Sequence, residues 1–362
     1  MEKQNHSSVP TFILLGFTTD PKLQLLLFMV FTLAYVTTLV GNITLIVVIH
    51  RRSQLHTPMY FFTGNLSFLD LWCSSIYAPK ILLNYVSKDK SVSFTGCAAP
   101  FFVSGGLAYT ECYLLAAMAY DQHVAISNPL LYTAAVSKKL RMGLVAASYL
   151  SGFANSTVIT SRAFALTFCN SNVIDDFFCD LPPLVKLSCN VTESYHALLY
   201  FILTFNVILP SALILTSYAS MPAAVLKMRS AEGQSKAFSA SATHLTAVTL
   251  YYSSILFTYA RPSSTYVLGR DKAISVFYAV VIPMLNPFIY SLRNQEVKEA
   301  LKRLVKRQTA SWQKKSSDYV PQRCSKKYRP NSSESCTAYV SGWDQAARAG
   351  LLLDENGLEG AT

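Results

Sequence analysis

Seven nearly uncharged runs of about 20 residues punctuate the chain, each long enough to cross roughly 30 Å of hydrocarbon as a helix. They cover approximately Leu23–Ile49, Pro58–Leu83, Phe94–Val124, Met142–Ile159, Tyr195–Tyr218, Phe238–Tyr259 and Ala273–Leu292. In lipid every backbone N–H and C=O must be paired within its own segment, so these runs are expected to be helices. Strands of a membrane barrel would alternate polar and apolar residues over about ten positions, and these runs do not. Polar breaks separate them. His50, Arg51 and Arg52 close the first run, Pro58 opens the second, and Pro129 follows the third, where a proline cannot continue a helix without losing a hydrogen bond. Pro210 and Pro287 predict kinks inside the fifth and seventh. The pattern predicts an all-α membrane protein, a seven-helix bundle over residues 23–292 behind a polar N-terminus, 1–22. In residues 293–307, Val297, Leu301, Leu304 and Val305 recur at helical spacing between lysines and arginines, as in an amphipathic helix lying on a membrane. Residues 308–362 lack apolar periodicity and are expected to be disordered.

Composition supports this picture. Hydrophobic residues make up 51% of the chain and charged residues 14%, against about 25% charged in soluble domains. The net charge of +11 raises nucleic acid as a partner, but its distribution argues for membrane lipid instead. Thirteen of the 31 lysines and arginines lie from Arg293 onward, beside the last apolar run, which marks that end as cytoplasmic and the N-terminus as extracellular. The first run is too long for a signal-peptide core, and no small-residue cleavage site follows it.

Polar residues inside the runs carry the candidate chemistry. Asn42 needs a partner on another helix. Asp70 and Glu111 are acids in neighbouring runs, which implies either a shared cation or proton, or two separately hydrogen-bonded and partly protonated acids. Cys97, Cys169, Cys179 and Cys189 fall on one side of the membrane, the oxidising one, and four cysteines allow three pairings. Asn5 and Asn190 begin glycosylation sequons on that side, with Asn5 the better acceptor; Asn42, Asn65 and Asn155 begin others inside apolar runs. No Ser-His-Asp order, phosphate loop or HExxH helix suggests an enzyme. A channel or transporter for small solutes is the alternative of another class, although no internal repeat supports it and only Gly105-Gly106 weakens a run.

Several strings go further. MAYDQHVAISNPLLY, Met118 to Tyr132, resembles MAYDRYVAICNPLLY, the mark of vertebrate olfactory receptors, a branch of the rhodopsin-like G-protein-coupled receptors. PMYFFTGNLSFLDLW, FCNSNVIDDFFCD, PPLVKLSC and PMLNPFIYSLRN are similar to the same family, and the resemblance runs from Met1 to about Arg307. It departs at Thr63, Gly64, Gln122, His123, Ser127, Ala240, Ser241 and Thr243.

The resemblance implies bridges Cys97–Cys179 and Cys169–Cys189, and a sodium pocket at Asp70 and Glu111; no other cofactor is expected. It implies contact with a heterotrimeric G protein at Asp121, Gln122, His123, Lys227, Arg229 and Lys236, in the plasma membrane of sensory cilia. Ser104, Gly105, Ala108, Tyr109 and Cys112 share one helical face, as do Tyr252, Ile255, Leu256 and Tyr259. Such stripes suit plain helix packing. The resemblance reads them, with Ile202, Asn206, Val276 and Ala279, as the wall of an odorant cavity. That wall is apolar and aromatic with a few hydroxyls and one amide, which suits a small, neutral, volatile molecule. It carries no lysine or carboxylate, which argues against charged amines.

Overall fold

The computed structural model describes residues 11–18, 20–87, 89–169, 172–226, 230–259, 268–292, 297–299 and 302. Long helices stand at all seven apolar runs. They are α1 (Pro21–Arg51), α2 (Pro58–Val86), α3 (Phe94–Ser127), α4 (Lys138–Ala163), α5 (Glu193–Leu226), α6 (Ala231–Tyr259) and α7, built from Leu268–Val276, Phe277–Val281 and Ile282–Leu292. Their starts follow local chemistry. Asp20 accepts from the Lys22 N–H at 2.9 Å ahead of Pro21, while Ser93, Ser137 and Thr192 cap α3, α4 and α5.

Five helical stretches among the described residues are long and apolar enough to span a membrane, in α1, α3, α4, α5 and α7. The seven expected spans are corrected to that extent. Helices α2 and α6 match the others in length at 29 residues each, but their polar residues dilute them. Helix α2 carries Asn65, Asp70, Lys80 and Asn84, and α6 opens with Ala-Glu-Gly-Gln-Ser-Lys.

Helix α3 is the most deeply enclosed, while α1 turns Leu25 (66% exposed) and Leu33 (69%) outward, as a lipid-facing helix would. Helices α3 and α4 approach closely at Gly152. A Cβ there would meet the Gly106 carbonyl and the Thr110 nitrogen at 2.7 Å each. The prolines reshape two helices. Pro210 cannot donate to the Asn206 carbonyl, and the chain widens into a π turn at Thr204–Ile208 just before it. Pro283 likewise comes just after the π turn Phe277–Val281. Pro287 leaves the Pro283 carbonyl without its helical donor. Asn42 of α1 supplies one, its Nδ2 donating to that oxygen at 3.1 Å and to Thr38 O at 3.0 Å. The mid-helix asparagine thus finds the partner its position demands.

One end of the bundle carries a small sheet. Strand β1 (Thr11–Leu14) lies between β2 (Ser91–Ser93), antiparallel with Phe12 opposite Val92, and β3 (Val173–Ile174), parallel with Ile13 opposite Val173. Phe12 and Leu14 are fully buried against Val92, Cys97, Ile174, Cys179 and Leu184. The long α4–α5 connection adds a short helix, Leu181–Leu187.

Candidate functional site

The α4–α5 connection is fastened twice. Cys97–Cys179 ties it to the first turn of α3, with Cα atoms 5.6 Å apart, and Cys169–Cys189 closes it on itself at 5.8 Å. Both pairings are those the resemblance implied. The first bridge brings Asp180 over the bundle, where its Oδ1 accepts from the Leu181 N–H at 2.7 Å and its Oδ2 from the Tyr278 hydroxyl at 2.6 Å. Beside it Asp176 is fully buried and accepts from the Phe177 N–H at 2.7 Å. Burial pushes the Asp176 carboxyl up to about 8; Asp180 and Asp175 add to this, while the Phe177 N–H and Lys272 oppose it. Lys272 is engaged by Asp175 and donates to Gly16 O at 2.8 Å.

Beneath this loop lies a cavity of about 470 Å³, within the range of small-molecule sites. Every wall position read on α3 lines it: Ser104, Gly105, Ala108, Tyr109 and Cys112. Ile255 and Ala279 line it as well. Ile202, Asn206, Tyr252, Leu256 and Val276 are not among its lining residues. Leu256 is 37% exposed, on the outside of the bundle. Tyr252 is buried and donates to Cys112 O at 2.9 Å; Val276 packs in the cluster around Phe31, Ile81 and Phe177. Asn206 is fully buried in a polar junction, accepting from the Tyr113 hydroxyl at 2.8 Å and donating to Asn155 Oδ1 at 3.1 Å and Ile202 O at 2.7 Å. Val207, Tyr200 and His196 form the α5 wall, and Tyr251 and Thr258 join Ile255 on α6. The side chain of Tyr259 lies outside the described residues.

The cavity is less neutral than expected. Glu111, Asp180 and Glu193 all line it, so the argument that the wall lacks carboxylates fails. Asp180 escaped sequence reasoning because only the folded-back loop delivers it, although it sits next to Cys179 in a string already singled out. Tyr77 and Tyr278 were likewise missed.

Asp70, deeper in the bundle, accepts from Asn286 Nδ2 at 3.2 and 3.0 Å. Glu111 makes no hydrogen bond among the described residues, and no group of three or more His, Cys, Asp or Glu side chains there is arranged to hold a metal. At the end away from the sheet, Asp121 accepts from the Tyr132 hydroxyl at 2.9 Å, and burial holds that hydroxyl above its usual range, so it stays a donor. Gln122 is 4% exposed, and its Oε1 accepts from the Tyr218 hydroxyl at 2.8 Å. The Tyr218 oxygen also lies 2.6 Å from His244 Nδ1. One hydroxyl proton cannot serve both, so His244 donates from Nδ1 and the three side chains link α3, α5 and α6. His123 faces the Ser220 hydroxyl at 2.9 Å. Lys227, Arg229, Asn5 and the tail 308–362 lie outside the described residues, as do the side chain of Lys236 and most of 293–307.

Comparison with known proteins supplies the family. Residues 31–308 match the profile of the olfactory receptor family. Olfactory receptor 9G19 of Mus musculus is 61% identical over 303 residues, covering 84% of this chain and 99% of that protein. Olfactory receptor 9G1 of Homo sapiens is 60% identical over 305 residues, covering 84% of this chain and all of that protein. Olfactory receptor 9G4 of Homo sapiens is 54% identical over 303 residues, covering 84% and 93%. With a matching profile over more than half its length and full-length relatives at such identity, this chain belongs to the olfactory receptor family.

Proposed function

We propose that this odorant receptor holds a small volatile molecule in the 470 Å³ cavity and passes its occupancy to a heterotrimeric G protein of the olfactory Gs type, raising cyclic AMP. The observation that carries the reading is the cavity's position, beneath a loop tied by Cys97–Cys179 and against helices that meet again at Gln122, Tyr218 and His244. Tyr251 and Ile255 touch the cavity from the helix that also carries His244. Tyr251 donates to Ala108 O at 2.6 Å, so a ligand that prefers one arrangement of α3 and α6 biases both ends of that pair.

In this reading all seven helices cross the plasma membrane of sensory cilia, with the sheet outside, a glycan on Asn5 and the Gln122 end in the cytoplasm. Lys227, Arg229 and Lys236 then join Asp121, Gln122 and His123 at the G-protein face. Gln122 carries no charge and is already engaged by Tyr218, so coupling is weak. Asp70 and Glu111 would hold a sodium ion. The donor set fits a monovalent cation: two buried carboxylates on adjacent helices, with the Ser74 hydroxyl one turn from Asp70 and Asn286 Oδ1 beside it, both buried without partners. The sodium would neutralise the paired acids.

The test is a volatile-compound screen on surface-expressed receptor with a cyclic-AMP readout. A saturable response should appear and be lost in Ala108→Phe, which fills the cavity, at unchanged surface labelling. Responses that survive that substitution would refute the cavity as the site.

A further inference from the structure

We infer that the cavity recognises a small ammonium cation, held by the Asp180 carboxylate among Tyr77, Tyr109 and Tyr278. This rests on the reading of the cavity as the odorant site and names the ligand class it takes. Three observations carry it. First, the described residues lining the cavity include three carboxylates (Glu111, Asp180 and Glu193) and no lysine or arginine; the one basic side chain is His196. Such a wall makes the cavity a negative region enclosed by low-dielectric helices, where a cation is favoured and an anion excluded. Second, Glu111 is 6% exposed and lines the cavity; with its charge met by the sodium ion proposed beside Asp70, the wall still keeps two carboxylates, Asp180 and Glu193, against the one histidine among its described residues. Third, Asp180 is 6% exposed and stands among tyrosines. Tyr278 bonds to it at 2.6 Å, and its charge reaches Tyr77 and Tyr109, all three of which line the cavity. A carboxylate in a cavity lined by tyrosines suits an alkylammonium. The charge meets the carboxylate, the polarised methylenes or methyls lie against the rings, and the alkyl tail meets Ile159, Val207 and Ile255.

Asp180 is held rigidly by the Leu181 N–H, the Tyr278 hydroxyl and the adjacent disulfide, so the carboxylate does not have to be ordered when the ligand arrives. A neutral alcohol of the same skeleton would fill the same volume and lose the charge-assisted contact.

The test uses the purified full-length receptor in nanodiscs, which removes any dependence on G-protein coupling. Thermal stability is measured against isoamylamine, isoamyl alcohol and isoamyltrimethylammonium, whose charge is independent of pH. The two cations should stabilise the receptor at concentrations about tenfold or more below the alcohol. Asp180→Asn, which keeps an oxygen to accept from Leu181, should erase that preference while moving the alcohol less than about threefold. Should the variant fail to fold, Tyr109→Leu provides a second reading, since it removes a ring face and should weaken the trimethylammonium compound more than the alcohol. If the alcohol stabilises as well as the cations, the ammonium inference is overturned and the cavity reading stands. If no compound stabilises the receptor, the cavity reading falls with it.

Discussion

Asp176 makes the loop over the cavity sensitive to pH, and the effect is large enough to measure. Its carboxyl is fully buried, with Oδ1 bonded to the Phe177 N–H and Oδ2 without a partner. Burial raises it to about 8, against about 3.9 for an ordinary aspartate. Between those values the folded receptor binds a proton that the unfolded chain has released. Stability from this group is therefore fully present below about pH 4 and declines as pH rises toward 8. Each pH unit inside that window is worth about 1.4 kcal/mol, so at pH 7 the cost of the ionisable group is ~4 kcal/mol, and moving from pH 5 to pH 7 removes about 3 kcal/mol. Asp176→Asn abolishes the titration. It keeps an acceptor for Phe177 but puts an amide where Oδ2 stood without a partner, which costs about 1–3 kcal/mol. The variant should be more stable than wild type at pH 7.5, less stable or equal at pH 5, and nearly flat between. Apparent melting temperatures of the nanodisc-embedded receptor across pH 5–8 would read this out. A variant with the same downward slope as wild type would refute the assignment to Asp176.

Other substitutions probe other parts of the molecule. Cys97→Ser removes the bridge that delivers Asp180 and should stop surface delivery, since losing a native disulfide costs about 2–5 kcal/mol; wild-type surface labelling would contradict this. Asn206→Ala leaves Tyr113 and Asn155 short of partners and should cost about 1–3 kcal/mol in stability without altering ligand selectivity; a changed selectivity profile would put Asn206 back on the wall. Gln122→Arg with His123→Tyr should raise the cyclic-AMP maximum several-fold at equal surface expression, and an unchanged maximum would move the coupling contact elsewhere. Gly152→Ala forces α3 and α4 apart at a backbone contact and should cost upward of about 1–3 kcal/mol, visible as lost surface expression.

Much of the helical framework was legible because an apolar run of fixed length has few other uses. Asn42 illustrates how far that logic reaches: the need for a cross-helix partner is set by lipid, and Pro287 shows why the partner is a carbonyl. The face each helix turns to the cavity was legible on α3, and missed on α5 and in part on α6. All five α3 positions line the cavity. On α5 His196, Tyr200 and Val207 line the cavity at ordinary helical spacing, so the stripe read from Ile202 and Asn206 was on another face of the helix from its start. On α6 the stripe is displaced by one position, to Tyr251, Ile255 and Thr258. Periodicity gives a face but not the neighbour it meets. The carboxylate over the cavity was illegible for a different reason, since spacing left three cysteine pairings open and only one set carries Asp180 there.

The small sheet at this end of the bundle also sets an order of events during synthesis. Its central strand, Thr11–Leu14, leaves the ribosome before both of its neighbours, and the farther one, Val173–Ile174, emerges about 160 residues later. At roughly 5–20 residues per second, the strand waits about 8–32 seconds with an unpaired edge, the kind of edge that recruits wrong partners. Completion of the sheet is thus timed by translation through the first four helices. Slowing the ribosome between the second and third strands lengthens the period in which a nascent receptor can be captured before it is complete.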